Sequence, residues 1–353
     1  MLARDSGHNP GSGGRPQVSV IVPARNEEAS LGACLESLVS QSGVDFEVLV
    51  VDDGSTDQTR AIAQSFASVR IVDAPPLQPG WSGKSNALWA GFQQACGEWL
   101  LFTDADTVHA PGSLARSVAE AQTHGAALLS YSPAQVAASF WEKAILPVVF
   151  AELTAHYPTA EVNDPRSPVA AANGQYLLIS REAYAAAGGH AAVATTLLED
   201  VALAKLVKAS GRRLCFRFGG DAVRTRMYRN FAQLWEGWTK NLVLLFPRPL
   251  RLAALRALEF LAIAGGLAVA ALGLLRSWPL PGGIALLVAL AVGANFLRRI
   301  RRAHFPWLET LLAVVGLPVF VSLLACSWLN YRWRNEVTWK GRSYAASRPQ
   351  GPA

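Results

Sequence analysis

The fold of this chain is decided by the stretch Phe46-Glu47-Val48-Leu49-Val50-Val51-Asp52-Asp53-Gly54-Ser55-Thr56-Asp57. Its first half is a short apolar run, rich in β-branched residues, of the kind that forms a buried strand in a parallel sheet. Its second half changes abruptly to carboxylates and turn-forming residues. Because open α/β sheets bind ligands at the carboxyl ends of their strands, the stretch predicts both a strand and one edge of a binding site.

Other apolar runs have the same length as this strand, namely Val18–Val22, Val69–Val72 and Trp99–Phe102. Residues 31–39 and Ala87–Ala95 carry apolar side chains at helical spacing and lie between the runs. Strands that alternate with helices in this way predict an α/β fold with a parallel sheet and right-handed crossovers.

The composition points away from an ordinary soluble protein. Of 353 residues, 51% are hydrophobic and only 16% are charged, against about 25% charged in soluble domains. The net charge of +6 is uneven, because residues 1–240 carry −4 and residues 241–353 carry +10. The basic residues flank apolar runs, which predicts contact with anionic lipid headgroups and excludes a nucleic-acid partner.

The C-terminal third contains three strongly apolar segments, at about 257–275, 280–297 and 308–330. Each is close to the ~20 residues that a membrane-spanning helix needs, and tryptophans lie at their edges. Helices buried in a soluble protein are the alternative. Four arginines follow the second segment, so the positive-inside rule predicts a multi-pass protein of the cytoplasmic membrane with residues 1–250 in the cytoplasm.

The third apolar segment conflicts with this topology. A simple crossing would place the basic tail outside the cell. Pro318, close to Gly316, lies in the middle of the segment and could break it. We therefore predict a re-entrant hairpin that keeps the tail cytoplasmic, with a simple crossing as the alternative.

Two earlier segments, Ala137–Phe150 and Phe231–Phe246, combine aromatic and aliphatic residues with few charges. Both are typical of amphipathic helices that lie in a lipid interface, although a helix that packs on a protein core has the same pattern. The complete division predicted from the sequence is a disordered lead-in (1–16), a catalytic domain (17–230), an interfacial amphipathic helix (231–250), a transmembrane region (251–335) and a basic tail (336–353).

Two groups of carboxylates follow strands of the predicted sheet. Asp52-Asp53-Gly54-Ser55 offers the hydrogen-bond acceptors and donors that a nucleoside needs, or else forms a polar turn in which Asp57 caps the next helix. Asp104-Ala105-Asp106 follows the strand Trp99–Phe102 directly. Two carboxylates at i and i+2 point to the same side and suit Mg²⁺ or Mn²⁺, although a surface pair in a turn is common.

Two further motifs carry candidate functional groups. Ser82-Gly83-Lys84-Ser85 lacks the upstream glycine of a phosphate-binding P-loop, since position 78 is Gln78. Its glycine and lysine can still bring backbone N–H groups and an ammonium to a diphosphate. Glu199-Asp200 opens a helical run, where Asp200 is either a helix cap or a general base.

In their order along the chain these motifs resemble those of family 2 glycosyltransferases. The resemblance covers about residues 17–215 and rests on Pro23-Ala24-Arg25-Asn26-Glu27-Glu28, Val51–Asp57, Gly83–Leu88, Thr103–Asp106 and Glu199-Asp200. A narrower similarity, to membrane-bound bacterial members of carotenoid and hopanoid pathways that glycosylate lipids, rests on the apolar helices together with Met227-Tyr228-Arg229, Glu236-Gly237-Trp238-Thr239-Lys240-Asn241 and Trp339-Lys340-Gly341-Arg342.

The resemblance implies a GT-A fold and a nucleotide-sugar donor, usually uridine-linked. It implies that Lys84 reaches the nucleotide, that Asp104 contacts the ribose or the metal, that Asp106 binds the metal and that Asp200 deprotonates the acceptor. The residues implied to surround the nucleoside are Pro23, Arg25, Glu27, Asp52 and Asp53. The QxxRW motif of the family's processive members is absent, because Gln233 is followed by Leu-Trp-Glu-Gly-Trp, so transfer of one or a few sugars is expected.

The function predicted from the sequence is that of an inverting, Mg²⁺- or Mn²⁺-dependent glycosyltransferase. Its acceptor would be a hydroxyl of a membrane lipid, such as a carotenoid, a hopanoid or a glycolipid. Transfer to a polyprenyl phosphate is the first alternative, and Asp200 would then be less necessary. A non-catalytic sugar-nucleotide sensor and a transporter subunit with a soluble regulatory domain are alternatives of other classes.

Overall fold

A computed structural model describes residues 15–334, 336–339 and 342–345. The predicted lead-in, apart from its last two residues, therefore lies outside the described residues. Only two short strands of the predicted basic tail are described. Lys340 and Gly341 of the last quoted motif are also outside the described residues.

The first four strands begin where the apolar runs predict them. In chain order they are β1 (Val18–Ala24), β2 (Phe46–Asp52), β3 (Val69–Asp73), β4 (Trp99–Phe102), β5 (Thr107–His109), β6 (Leu128–Ser132), β7 (Ala134–Gln135), β8 (Leu177–Ser180), β9 (Leu214–Phe218), β10 (Val223–Thr225), β11 (Glu336–Trp339) and β12 (Arg342–Ala345).

Among the described residues, the largest sheet has seven strands in the order β3-β2-β1-β4-β8-β6-β9. Strands β1 to β4 are parallel, as predicted. The sheet as a whole is mixed, because β8 runs antiparallel to β4 and β6. Phe102 at the end of β4 pairs with Leu177 at the start of β8. The loop before β8 therefore reaches the same edge of the sheet as the residues that follow β4.

Helices cover both faces of this sheet and form the C-terminal part of the chain. They are α1 (Leu31–Val39), α2 (Thr59–Gln64), α3 (Gly83–Gln94), α4 (Ser113–Thr123), α5 (Phe140–His156), α6 (Thr159–Asn163), α7 (Arg181–Ala186), α8 (Gly189–Ala192), α9 (Glu199–Ala209), α10 (Phe231–Leu245), α11 (Pro249–Phe260), α12 (Gly266–Leu275), α13 (Pro279–Arg301) and α14 (Trp307–Leu329).

Two apolar cores lie on opposite faces of the sheet. Leu35 of α1 and Val118 of α4 belong to the core on one face. Leu88 of α3 and Leu203 of α9 belong to the core on the other. The central strands β1 and β4 are buried on both faces, which explains why they are continuous apolar runs.

Three helical segments are long and apolar enough to cross a membrane, at Pro249–Leu275, Pro279–Arg301 and Trp307–Trp333. They match the three apolar segments found in the sequence. A π-helical turn joins α11 and α12 into the first segment. The first two segments are poorly covered by protein, and Leu274, near the tip of the α12–α13 hairpin, is 86% exposed. The third segment is covered much more extensively.

The re-entrant hairpin predicted at Pro318 is wrong. Helix α14 continues through Pro318, and Ser322 Oγ donates a hydrogen bond to the Pro318 carbonyl oxygen at 2.9 Å. A proline inside a helix removes one backbone donor, but the packing of the helix outweighs this loss. A Cβ atom on Gly316 would overlap the Ala144 carbonyl oxygen, so α14 and α5 are in direct backbone contact.

Helix α14 contacts helices that precede the apolar segments at both of its ends. Near its start, the rings of Phe305 and Phe150 are 6.2 Å apart. Near its end, Ser327 Oγ accepts a hydrogen bond from Val243 N at 3.0 Å. Just beyond it, the Tyr331 hydroxyl donates to the Lys240 carbonyl oxygen at 2.9 Å. The third segment therefore packs along α5 and α10 throughout its length.

The apolar faces of α5 and α10 form this packing. Both helices therefore pack on a protein core, which was the alternative to a position in a lipid interface. Ile145 and Val149 of α5 and Leu242 of α10 are buried in one cluster with α14. Aromatic side chains stay exposed only at the helix starts, as for Phe140 and Trp141. Contact of α5 and α10 with a lipid interface would therefore involve only their first turns.

Candidate active site

A cavity of about 1080 Å³ opens at the carboxyl ends of β1 and β4. Its first half is lined by the loops that follow β1, β2 and β4, the start of α3, the loop before β8 and the start of α9. Its second half extends between α5, α10 and the α13–α14 connection. The loops of the sheet and the connection between α13 and α14 therefore line the same cavity.

The loops after β1 and β2 interlock at one end of the cavity. Asn26 has a left-handed backbone, with φ 53°, and its Oδ1 accepts a hydrogen bond from Thr56 N at 2.9 Å. Arg25 donates from a guanidinium nitrogen to the Asp53 carbonyl oxygen at 2.5 Å. Four of the five residues predicted to surround a nucleoside line the cavity at these loops: Pro23, Arg25, Glu27 and Asp53.

Asp52, the fifth predicted residue, does not line the cavity. Its carboxylate accepts a hydrogen bond from Ser55 N at 3.0 Å and pairs with Arg60 at 3.4 Å. Asp52 therefore shapes the turn that presents Asp53. Asp57 accepts from Thr59 N and Glu28 N, so it joins the two loops.

Helix α3 is capped by Ser82 Oγ, which accepts a hydrogen bond from Ser85 N at 3.0 Å. Lys84 lies in the first turn of this helix. Its ammonium is 2.9 Å from Asp104 Oδ1 and 2.9 Å from Glu199 Oε1. Burial lowers the pKa of Lys84, but Asp104, Glu199 and Asp200 together raise that pKa well above its usual value. Lys84 is therefore a fixed cation at the centre of the cavity.

The carboxylates of Asp104 and Asp106 line the cavity beside this lysine. Their loop is held from both sides, since Thr107 Oγ1 donates to the Asp104 carbonyl oxygen at 2.7 Å and Thr225 Oγ1 donates to that of Asp106 at 3.2 Å. Two carboxylates on one loop, facing a cavity that can admit phosphate and water, fit the ligand set of Mg²⁺ or Mn²⁺.

Asp200 lies in the first turn of α9, across the cavity. Its carboxylate accepts hydrogen bonds from Gly174 N and Val201 N, both at 2.8 Å. Burial and the neighbouring Glu199 carboxylate raise the pKa of Asp200 to about 6, against the opposing effect of Lys84. A carboxylate with this pKa is ionised at neutral pH and can accept a proton from a reacting group.

The second half of the cavity was not anticipated from the sequence. Its lining includes Phe150 of α5, Tyr157 directly after that helix, Leu245 of α10 and the α13–α14 connection, Arg302–Pro306. In that connection the ring of His304 stacks on Phe218 of β9, with ring centroids 4.1 Å apart and planes at 7°. His304 also has a left-handed backbone, with φ 65°.

Several buried polar atoms of lining residues have no hydrogen-bond partner in the part of the chain that the structure describes. They are Gln135 Oε1, Gln175 Oε1, Trp238 Nε1 and Asn241 Oδ1. A buried donor or acceptor without a partner costs about 1–3 kcal/mol.

The sequence signals for these missed residues differ. Trp238 and Asn241 stand in a quoted motif, and their i, i+3 spacing places them on one face of a helix. Glu199 stands in the motif Glu199-Asp200, in which only Asp200 was given a role. No sequence signal places His304 at the cavity, because its position depends on how α13 and α14 pack against β9.

Comparison with known proteins agrees with this geometry. Residues 19–186 match the model of the family described as Glycosyl transferase family 2. The part of the chain that forms β1 to β8 is therefore similar to family 2 glycosyltransferases. A 4,4'-diaponeurosporenoate glycosyltransferase of Staphylococcus aureus strain MRSA252 is 29% identical to this glycosyltransferase over 341 residues, covering 94% of this chain and 89% of the relative. The protein of the same name from strain USA300 is 28% identical over 338 residues, with the same coverage.

A solved structure supports the fold of this glycosyltransferase. The mannosyltransferase of Pyrobaculum calidifontis, in complex with GDP-Man and Mn²⁺, has a TM-score of 0.54 and 20% sequence identity. The similarity covers 91% of this chain and 88% of the mannosyltransferase. The predicted GT-A fold, followed by apolar helices that could span a membrane, is confirmed.

Proposed function

We propose that this glycosyltransferase moves a sugar, with inversion, from a nucleotide-diphosphate donor to a hydroxyl of a membrane lipid. One observation carries the proposal. Lys84, Asp104, Asp106 and Asp200 line the same cavity, which continues between helices that adjoin the apolar segments. The names of the relatives favour a carotenoid acceptor, although the carotenoid that they name is a carboxylate and not an alcohol.

The proposed step is a single in-line displacement. The acceptor oxygen attacks the anomeric carbon while the bond from that carbon to the diphosphate oxygen breaks. Asp200 takes the proton of the acceptor hydroxyl, and the nucleoside diphosphate leaves with the electron pair of the broken bond. A positioned base of this kind contributes about 10²- to 10⁴-fold to the rate.

The nucleotide end of the cavity suits the donor. Arg25 and Asp53 would contact the nucleoside, for which a uridine is our first choice. Lys84 would pair with the diphosphate and stabilise its charge as it leaves. Asp104 and Asp106 would hold Mg²⁺ or Mn²⁺, which when bound neutralises phosphate charge.

The position of the α13–α14 connection supports one membrane arrangement. Because Arg302–Pro306 lines the catalytic cavity, the end of α13 lies on the catalytic side. Arg298, Arg299 and Arg301 lie in the last turn of that helix. The positive-inside rule then places the catalytic domain in the cytoplasm, as part of a multi-pass protein of the cell membrane. As part of this proposal, we keep the division of the chain into residues 17–230, 231–250 and 251–335.

The test uses the full chain, purified in detergent with Mg²⁺ or Mn²⁺. Radiolabelled UDP-glucose, UDP-galactose and GDP-mannose are supplied in turn, together with lipid extract from cells that naturally make the protein. We expect label in the lipid phase, and we expect Asp200→Asn to reduce it at least 100-fold. Asp164→Asn, a surface substitution outside the cavity lining, is the matched control.

Two results would contradict the proposal. Absence of labelled lipid with every donor would exclude the transfer reaction. Nearly full activity of Asp200→Asn would exclude a base at this position and favour an acceptor that is already an anion, such as a polyprenyl phosphate.

A further inference from the structure

A smaller cavity of about 130 Å³ shares lining residues with the main cavity, and two of the shared residues are Asp106 and Arg226. Arg226 directly follows β10. The last residue of that strand, Thr225, pairs with Thr107 and donates from its hydroxyl to the Asp106 carbonyl oxygen at 3.2 Å. Strand β10 therefore places an arginine next to the loop that carries the candidate metal ligands.

Arg226 is held by a buried glutamate. Its Nε and Nη2 donate to the two carboxylate oxygens of Glu142 at 3.1 and 3.3 Å. The side chain of Glu142 is 1% exposed and that of Arg226 is 35% exposed, so the glutamate is enclosed whereas the arginine is open to solvent. Burial raises the pKa of Glu142, but hydrogen bonds from Arg226 and Ser139 bring that pKa below its usual value. The carboxylate is therefore charged at neutral pH.

Glu142 is itself fixed in the first turn of α5. Ser139 Oγ accepts a hydrogen bond from Glu142 N at 3.3 Å, and Glu142 Oε2 accepts one from Ser139 N at 2.6 Å. These reciprocal bonds form a capping box, in which glutamine serves as well as glutamate. The helix start therefore needs an acceptor at position 142 but no charge, and the charge serves the pair with Arg226.

The pair with Glu142 occupies one edge of the guanidinium, formed by Nε and Nη2. The other edge, formed by Nη1 and Nη2, keeps donors for a second partner. In the part of the chain that the structure describes, Nη1 of Arg226 has no hydrogen-bond partner. Two parallel N–H groups match a pair of phosphate oxygens, and the donor diphosphate is the anion that the neighbouring metal loop would hold.

Two cations therefore lie at the loop Asp104–Asp106, and each is held by a buried glutamate. Glu199 holds Lys84 at 2.9 Å. Glu142 holds Arg226 at 3.1 Å. We propose that Arg226 binds the donor diphosphate and stabilises its charge as it leaves, and that Glu142 is the positioning residue that orients the guanidinium. This inference rests on the proposed function and adds two residues to the same site.

The test measures nucleotide binding, which does not depend on the acceptor. The full chain in detergent with Mn²⁺ is titrated with UDP and with GDP by calorimetry, and the nucleotide that wild type binds more tightly is used for the variants. Arg226→Met should weaken its binding about tenfold, because charge-assisted hydrogen bonds are lost. Arg224→Met should leave it unchanged and is the matched control, because Arg224 is exposed and does not line the main cavity. Equal affinity of the two variants would overturn the inference.

Glu142→Gln tests the positioning role. Glutamine keeps the capping box but loses the charged partner of the guanidinium, so Arg226 becomes mobile and nucleotide binding should weaken about fivefold. In the Arg226→Met background the same substitution should have no further effect, because Glu142 acts through Arg226. A glutamate that only stabilised α5 would weaken binding equally in both backgrounds, and that result would overturn the positioning role.

Thermal unfolding separates these effects from folding. Arg226→Met leaves the Glu142 carboxylate buried without its cation, so its Tm should fall. The double variant Glu142→Gln/Arg226→Met has neither charge and should unfold near the wild-type temperature, while still binding the nucleotide about tenfold more weakly. Normal nucleotide affinity in the folded double variant would overturn the inference.

Binding of Mn²⁺ without nucleotide separates the diphosphate from the metal. The affinity for Mn²⁺ should not fall in Arg226→Met, because the arginine is not a metal ligand. A fall that accounts for the weaker nucleotide binding would show that Arg226 supports the metal loop, and would refute contact with the diphosphate. Failure of wild type to bind either UDP or GDP would refute the proposed function itself.

Discussion

The ammonium of Lys84 lies 2.9 Å from Asp104 Oδ1, so a cation of the protein occupies one face of a carboxylate that fits a metal ion. The same ammonium is held from the other side by Glu199, also at 2.9 Å. In the proposed site, the lysine and the metal would therefore share Asp104. A bound diphosphate would give the ammonium a third partner and would free that face of the carboxylate.

Removal of this lysine should strengthen metal binding and lower the rate of transfer from the donor. In Lys84→Met, Mn²⁺ should bind about fivefold more tightly without donor, because a competing ion pair worth about 1 kcal/mol is gone. The value of kcat/KM should fall about 100-fold, because a charge on the leaving diphosphate loses its partner. Electron paramagnetic resonance of free Mn²⁺ measures the first effect. Unchanged Mn²⁺ binding would show that the lysine and the metal do not compete.

A methyl group at position 174 should disturb the same centre. A Cβ atom on Gly174 would lie 2.9 Å from Lys84 Nζ and 3.5 Å from Asp200 Oδ2. Gly174→Ala should therefore displace the ammonium and lower kcat about 100-fold. Gly32→Ala is the control, because its Cβ would meet only an ordinary contact at 3.8 Å. Equal activity of the two variants would count against close packing at the site.

The raised pKa of Asp200 predicts the acid limb of the activity profile. Since the base must be ionised and its pKa is about 6, kcat/KM should fall about tenfold per unit below pH 6. Glu199 raises this pKa by its charge, so Glu199→Gln should move the limb to lower pH. Initial rates between pH 4.5 and 8 provide the measurement. A limb that does not move would exclude Glu199 as a cause.

The same shift has a consequence for stability. In the unfolded chain an aspartate has a pKa of about 3.9, so the folded protein binds this proton more tightly. The resulting stability is complete at low pH and is lost as the pH rises through 6. Asp200→Asn should therefore raise the Tm at pH 8 and leave it nearly unchanged at pH 4, as calorimetry can test.

The close contact between α14 and α5 predicts a folding defect from a single methyl group. Because a Cβ atom on Gly316 would overlap the Ala144 carbonyl, Gly316→Ala must push the helices apart, at a cost of about 1–3 kcal/mol. The measurement is thermal unfolding in detergent. Gly293→Ala on α13, where no atom lies within 4 Å of the added group, should leave the Tm unchanged or slightly raised. Similar Tm values for both variants would contradict the contact.

The packing of α14 along α5 and α10 also predicts the side on which the chain ends. We expect a cysteine at Arg332 to react with an impermeant maleimide only after the cells are opened, because both ends of α14 contact elements of the catalytic side. A cysteine at Ser277, in the α12–α13 turn, should react in intact cells. The exposed Cys96 serves as an internal control for the cytoplasmic side. Labelling of position 332 from outside would establish a third crossing.

The sequence was informative where local patterns decide the structure. Apolar runs located β1 to β4, and the carboxylates after β4 lie at the cavity as expected. It was less informative where distant segments meet. The direction of β8 depends on the path of the chain after α6, and the backbone of α14 is continuous through Pro318 because of its contacts with α5. Asp52 and Asp53 are adjacent and chemically alike, yet only the pleat of β2 decides which one lines the cavity.

The stacking of His304 on Phe218 joins the connection between two apolar helices to the last strand of the large sheet. The pocket is consequently assembled from both parts of the chain, and a soluble fragment ending before α11 would lack one of its walls. In a chimera that exchanges residues 249–333 with those of a relative, the acceptor range would follow the transplanted helices, whereas the choice of nucleotide would stay with the host. The range of acceptors could thus change through the C-terminal helices, without any change in the residues that carry out the reaction.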